Sequence, residues 1–331
     1  MHSGFTRTAV IVVGIAASTT ACGKYSLSSI LSLKAFKDGV ASFSKGDYRG
    51  AVPEFEESVR RNPDFGLAYF YLGNSYDSQY KPAKKGDPQN DGLVPKAVEN
   101  YRIAIDKLKD STEPRAAEFR KLSYEYLIAA YGSDKLNEFD KAEPAAKELI
   151  AIEPGEPSNY QALGKLYEDQ GRMEDAEAMF QKAVEVKPAD PQPYQQLAGF
   201  YNRQGKFEKT MEAFQQRANM EPNNPEAWHL MGSYYYDKVT RDKALAKPLA
   251  IKYLDAGVQA EDKAIALNTD YFEALTFKNL LLRLQANFEP AGSAKQKQLL
   301  DQANQFFQRA LAAQAKQAGQ AAAQAGATKK D

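Results

Sequence analysis

Few residues in this chain are equipped for chemistry. Cys22 is the sole cysteine, and His2 and His229 are the only histidines. One cysteine forms neither an intramolecular disulfide framework nor a cysteine-cluster zinc site. A histidine with no partner visible in the sequence gives no general-base relay. Asp87-Pro-Gln-Asn-Asp91-Gly92 imitates the first half of a calcium-binding loop, with oxygen donors at Asp87, Gln89 and Asp91 before Gly92. The closing bidentate glutamate is missing, because Val98 stands at the twelfth place and Glu99 comes one residue late. Lys81, Lys84 and Lys85 also oppose a cation there, so the stretch reads as a solvated turn-rich loop. Gly23-Lys24 is followed by Tyr25 and lacks the upstream glycine and the hydroxyl residue of a phosphate-cradling loop. The expectation is a non-catalytic protein with no cofactor and no metal.

Composition agrees with that expectation. In 331 residues, 43 Lys and Arg balance 43 Asp and Glu, so no global charge draws the chain to nucleic acid, and no nucleic-acid partner is expected. Hydrophobic residues at 43% and charged residues at 26% suit an ordinary globular chain able to bury a core.

The first residues read as an address. Arg7 supplies a positive start, Ala9–Ala17 is apolar, and the small residues Ser18-Thr19-Thr20-Ala21 precede Cys22. This is the three-part layout of a secretory signal peptide over 1–21, with an apolar stretch much shorter than the roughly 20 residues of a spanning helix. The end of the segment resembles the lipobox of bacterial lipoproteins, although Thr19 stands where that motif usually has Leu. The resemblance implies lipidation of Cys22 and attachment to a membrane through the lipid. Ordinary cleavage after Ala21, giving a secreted or periplasmic soluble protein, is the alternative.

The elements that would position any site come from an internal repeat. Pro154, Pro188 and Pro222 recur at intervals of 34 residues. Between them Tyr160, Leu163, Gly164 and Tyr167 form one helical stripe, and Ala176, Phe180 and Ala183 a second, with Gly171 at the turn. The next repeat has Tyr194, Leu197, Ala198, Tyr201, Gly205 and Phe214, with Thr210 where Ala is usual and Arg217 as a departure. Over these residues the chain resembles the tetratricopeptide-repeat family. Further members are marked by Gly39, Ala51 and Phe55; by Leu72, Gly73, Ala97, Tyr101 and Ala104; by Leu127, Tyr131 and Ala142; by Trp228, Gly232, Gly257 and Ala264; and by Leu275, Phe307 and Ala310. The resemblance implies an all-α, right-handed solenoid of antiparallel helix pairs, about six to seven repeats over 32–315. Trp228 is expected to pack inside repeat six.

Two repeats exceed the period by about a dozen residues between their helices. Long loops are therefore expected at 77–95 and 238–249, leaving by one edge of the array. Repeat three is longer mostly before Leu127, so its first helix should begin near Pro114. Residues 22–31 are expected to be a tether, and the Ala/Gln-rich 316–331 a flexible tail.

Members of this family bind peptides along the face made by first helices. On that pattern the candidate groove contacts are Phe70 and Asn74; Gln161 and Lys165; Gln195, Asn202 and Arg203; and His229, Ser233 and Tyr236. The Lys/Asn/Arg carboxylate clamp of chaperone-binding members is not reproduced, since Gln161, Gln195 and His229 occupy comparable places. The resemblance thus implies a lipid-anchored scaffold of the bacterial cell envelope that binds protein or peptide partners, facing the periplasm from the outer membrane because Gly23 follows Cys22. The alternative is an accessory or substrate-delivery subunit of a secreted enzyme or transport complex. Oligomeric state is left open by the sequence.

Overall fold

The computed structural model describes residues 27–327, with side-chain surroundings as far as residue 320. The expected signal segment and Cys22 lie outside the described residues. Among those described the regular structure is helical throughout, and it divides into two compact units that meet in sequence between Met179 and Phe180.

In the first unit, α1 (Leu27–Ser44) packs on α2 (Tyr48–Arg61). Next, α3 (Gly66–Asp77) pairs with α5 (Leu93–Lys109), with the single-turn α4 (Pro88–Asp91) between them in sequence. A third pair is α6 (Ala116–Tyr131) with α7 (Phe139–Ile152), and α7 also packs on α8 (Pro157–Asp169). The division falls within α9 (Met173–Val186). In the second unit the pairs are α10 (Pro191–Arg203) with α11 (Phe207–Met220), α12 (Pro225–Arg241) with α13 (Lys247–Leu267), and α14 (Phe272–Ala286) with α15 (Ala294–Ala327). The expected antiparallel helix pairs of an all-α repeat array are what the chain folds into.

Glycine on a first helix and a ring on the second explain why the pairs close tightly. A Cβ on Gly39 would lie 2.7 Å from the Phe55 ring, and one on Gly73 would lie 2.8 Å from the Tyr101 ring. Ala51, Ala97 and Ala104 are completely buried around those rings. Small residues let the axes approach, and the aromatic fills the space between them. At the turn, Gly171 has φ +73°, a conformation that L side chains rarely adopt.

The entry to the next helix is fixed the same way in successive repeats. Asp190 and Asn224 cap α10 and α12 by accepting from Gln192 N at 2.9 Å and Glu226 N at 3.0 Å, with Pro191 and Pro225 at the start of those helices. The first aromatic of each stripe then donates back to a proline carbonyl six residues upstream. Tyr160 Oη reaches Pro154 O at 2.9 Å, Tyr194 Oη reaches Pro188 O at 3.2 Å, and Trp228 Nε1 reaches Pro222 O at 3.3 Å. The recurrence of proline every 34 residues therefore marks a hydrogen-bonded corner as well as a helix end.

Several boundaries differ from the sequence reading. The expected loop 238–249 is mostly helical: α12 runs to Arg241 and α13 starts at Lys247, so the extra residues lengthen both helices and leave a short turn. Val239, Tyr253 and Leu254 supply apolar material that continues the packing, and Tyr253 Oη donates to Glu208 at 2.7 Å. The segment 77–95 is exposed over 81–89 and is ordered by its own side chains. Asn90 Oδ1 accepts from Lys81 N at 2.9 Å, Asp91 Oδ2 from Gly86 N at 2.8 Å, and Asp87 caps α4 through Gln89 N at 3.0 Å. The carboxylates of the calcium-like stretch are thereby turned to backbone N–H groups. Helix α1 begins at Leu27, within the expected tether, and α15 continues to Ala327, through most of the expected tail, where alanine and glutamine favour helix.

Candidate functional site

The first-helix face of the second unit gathers six of the ten predicted contacts. On α10, Gln195, Asn202 and Arg203 are exposed. Helix α12 contributes half-buried His229, Ser233 and Tyr236, one turn apart along the helix. Arg203 comes close enough to Tyr234 of α12 that its charge opposes the burial-driven rise of that phenol. Ser233 Oγ is turned to its own helix, donating to Leu230 O at 2.8 Å. Tyr236 stacks edge-on against Phe277 of α14, with ring centroids 5.4 Å apart. Helices α10 and α12 therefore offer amide, guanidinium and phenol groups on rigid elements, with Tyr236 braced by Phe277.

His229 is more deeply built in than its sequence position suggested. Its ring lies edge-on to Tyr271 and Phe277, at 5.3 and 5.2 Å. Nδ1 is 3.0 and 3.1 Å from the two carboxylate oxygens of Glu261 on α13. Glu261 is completely buried. Burial pushes its carboxyl up to about 7, while His229 and Lys278 pull the other way and Asp262 adds to the rise. Tyr271 is pushed up to about 12 by burial and by Glu273, Glu226 and Glu261. Lys278 is itself held by Asp262 and lies 4.0 Å from the Phe306 ring. His229 Nδ1 and the Glu261 carboxyl are thus hydrogen-bonded to each other in an apolar, ring-lined setting.

Glu261 was missed in the sequence, although the repeat register contains the signal. It lies four residues after Gly257 and three before Ala264, the spacing that places Phe55, Tyr101, Phe180 and Phe214 in their helices. A Cβ on Gly232 would meet the Glu261 carboxylate at 2.2 Å, just as Gly39 and Gly73 face rings. A carboxylate therefore occupies a place that other repeats fill with an aromatic.

The remaining predicted contacts lie in the first unit. On α8, Gln161 is half-buried and Lys165 is exposed, the latter paired with Asp169 and, at 3.7 Å, with Glu168. Phe70 and Asn74, expected on an open face, are buried at 5% and 7% exposure. The lengthened α6 covers Phe70, with Phe119 and Tyr126 standing 5.1 and 5.9 Å from its ring, and Asn74 Oδ1 accepts from Ser78 Oγ at 3.2 Å. A polar cleft of about 500 Å³ lies instead between the α1–α2 turn and the 77–95 segment, lined by Asp47, Arg49, Gln79, Lys84 and Asp87 among others. Among the described residues no three His, Cys, Asp or Glu side chains are placed to hold a metal ion, and no helix is long and apolar enough to cross a membrane.

Comparison with known proteins finds the same repeat. The tetratricopeptide-repeat family matches residues 39–84, and again 135–199 and 169–234. A pentatricopeptide repeat-containing protein of Arabidopsis thaliana is 50% identical over 42 residues, which are 13% of this chain and 10% of that protein's length. Among solved structures, MamA is 21% identical, with a TM-score of 0.41 over 56% of this chain and 94% of its own. MamA 41–end from Desulfovibrio magneticus RS-1 is 16% identical, with a TM-score of 0.43 over 58% and 95% of the two chains. YrrB, described as a TPR protein with an unusual peptide-binding site, is 17% identical, with a TM-score of 0.36 over 67% and 95%. Residues 39–84 and 135–234 of the chain thus match the tetratricopeptide repeat.

Proposed function

We propose that this protein is a non-catalytic scaffold that binds a protein or peptide partner on the first-helix face of its second unit. The observation that carries this reading is that two first helices of one unit present polar and aromatic groups, with Gln195, Asn202 and Arg203 exposed on α10, His229 and Tyr236 half-buried on α12, and Arg203 near enough to Tyr234 for its charge to act there. Such a face supplies hydrogen-bonding groups for an extended backbone and rings for side chains, held on helices that need not reorganise on binding. We place the scaffold in the bacterial cell envelope, anchored through lipid on Cys22; the support is the charged, apolar and small-residue order of 1–22.

Site-specific photocrosslinking tests the proposed face. A benzophenone side chain at Asn202 or Tyr236 should capture a discrete envelope protein in cells, whereas the same group at Lys252 on the exposed side of α13 should not. Equal capture from both positions, or none from either, would contradict the reading. A captured enzyme or transporter in fixed stoichiometry would assign the chain as its accessory subunit, and several assembly factors would assign a general scaffold.

A further inference from the structure

The first unit contains a second candidate site. Where the end of α5 meets α6 and α7 there is a partly enclosed cavity of about 130 Å³. Its walls combine apolar Leu108 and Leu149 with Lys109, Ser111, Arg120 and Lys121. Such a volume holds several waters or one small oxyanion, and it is too small for a nucleotide.

Among the residues that line this cavity, Lys109, Arg120 and Lys121 are cationic and Glu153 alone is anionic. Lys121 is satisfied by Glu153 at 3.0 Å, with Glu125 at 4.0 Å. The carboxyl of Glu125 is raised by burial and by Glu153 and Glu156, so the acidic groups crowd onto the Lys121 side. Another nearby carboxylate, Glu148, accepts from Tyr124 Oη at 3.0 Å. Arg120 lies over the Tyr124 ring at 5.8 Å, yet its buried Nε has no hydrogen-bond partner. A buried guanidinium N–H left without an acceptor is costly, so an acceptor entering the cavity would stabilise it. Ser111 Oγ accepts from Glu113 N at 3.1 Å, which leaves its own hydrogen free to donate.

We propose that this cavity binds a small oxyanion, a phosphate or a carboxylate group, through Arg120 Nε and Ser111 Oγ, with Lys109 adding charge at the rim. An arginine N–H and a hydroxyl converging on one cavity suit an acceptor-only group with several oxygens. Water in the same place would satisfy Nε but would add no negative charge to that lining.

Calorimetric titration of the full chain with sodium phosphate and with sodium acetate, each matched in ionic strength with sodium chloride, tests this. Saturable binding of either ion above the chloride control is expected. The ion that saturates at lower concentration identifies the group as phosphoryl or carboxylate. Arg120→Gln should weaken that binding at least tenfold with melting unchanged. Arg120→Lys should retain part of it, and Ser111→Ala should weaken it several-fold. No saturable binding of either ion would overturn the proposal. So would an Arg120→Gln protein that melts and binds as the parent does, or an Arg120→Gln protein that fails to fold while folded Arg120→Lys and Ser111→Ala both bind as the parent does.

Discussion

The carboxylate of Glu261 lies 3.0 Å from His229 Nδ1, wholly buried in a place where α2, α5 and α11 carry Phe55, Tyr101 and Phe214. Replacing a ring by a buried carboxylate forfeits hydrophobic burial and incurs desolvation, so the exchange is tolerated only with a partner in reach. His229 is that partner, and the coupling ties the first-helix face of repeat six to its second helix.

This arrangement has a definite pH signature. The Glu261 carboxyl titrates near 4.5 when unperturbed and near 7 in the folded protein. Between those values the folded chain keeps a proton that the unfolded chain has released, so the contribution is full below about 4.5 and is lost as pH rises to about 7. The loss amounts to about 3 kcal/mol. Urea unfolding at pH 5, 6 and 7 should therefore show a shallower decline of stability for Glu261→Gln than for the parent protein. Glu113, also raised to about 7 by burial, contributes with the same sign in both proteins and drops out of the comparison. Parallel pH dependences would show that Glu261 is ionised throughout.

Trp228 is buried, donates to the Pro222 carbonyl and lies beneath Lys263 Nζ at 3.9 Å. Trp228→Ala should cost about 3–5 kcal/mol through lost burial and a cavity. In a quasi-one-dimensional array the loss is felt by neighbouring repeats first. Hydrogen exchange should accelerate in α12 to α15 before it changes in α1 and α2; uniform acceleration would contradict nearest-neighbour coupling.

Glycine at the helix-pair contact is a packing requirement. Gly73→Ala places a methyl 2.8 Å from the Tyr101 ring and 3.1 Å from the Ala97 carbonyl, and should lower stability by about 1–3 kcal/mol. Gly155→Ala, with nothing within 4 Å, should be close to neutral. Equal thermal shifts for the two variants would remove the steric account.

Attachment to the membrane should depend on Cys22. After Cys22→Ala, the mature protein should leave the membrane pellet on a high-salt wash, because a lipid anchor resists salt while electrostatic adsorption does not. Retention in the pellet would exclude anchoring through that residue.

The helix pairs were legible because the 34-residue period, the small and aromatic stripes and the turn glycines are all local features. Pro154, Pro188 and Pro222 carried the register, and Tyr160, Tyr194 and Trp228 use their carbonyls. The lengthening of α12 and α13 was not legible, since about twelve added residues fit a loop or roughly three more helical turns equally well, and tertiary packing of Tyr253 and Leu254 decides between them. Burial of Phe70 depends on Phe119 and Tyr126, some fifty residues away. Glu261 was legible in principle, from its spacing to Gly257 and Ala264, but a charged residue in an aromatic place reads as a departure until its partner is seen.

The most direct measurement is the dissociation constant of the crosslinked partner for two triple variants of matched melting temperature. Asn202→Ala, Arg203→Ala and Tyr236→Ala together alter the first-helix face, and Lys252→Ala, Asp255→Ala and Gln259→Ala together alter the exposed side of α13. The first should bind at least tenfold more weakly than the parent, a loss of about 1.4 kcal/mol or more. The second should bind within about twofold of the parent, as surface positions outside an interface do. Binding that survives the first set and is lost in the second would contradict the assignment of the partner to the first-helix face.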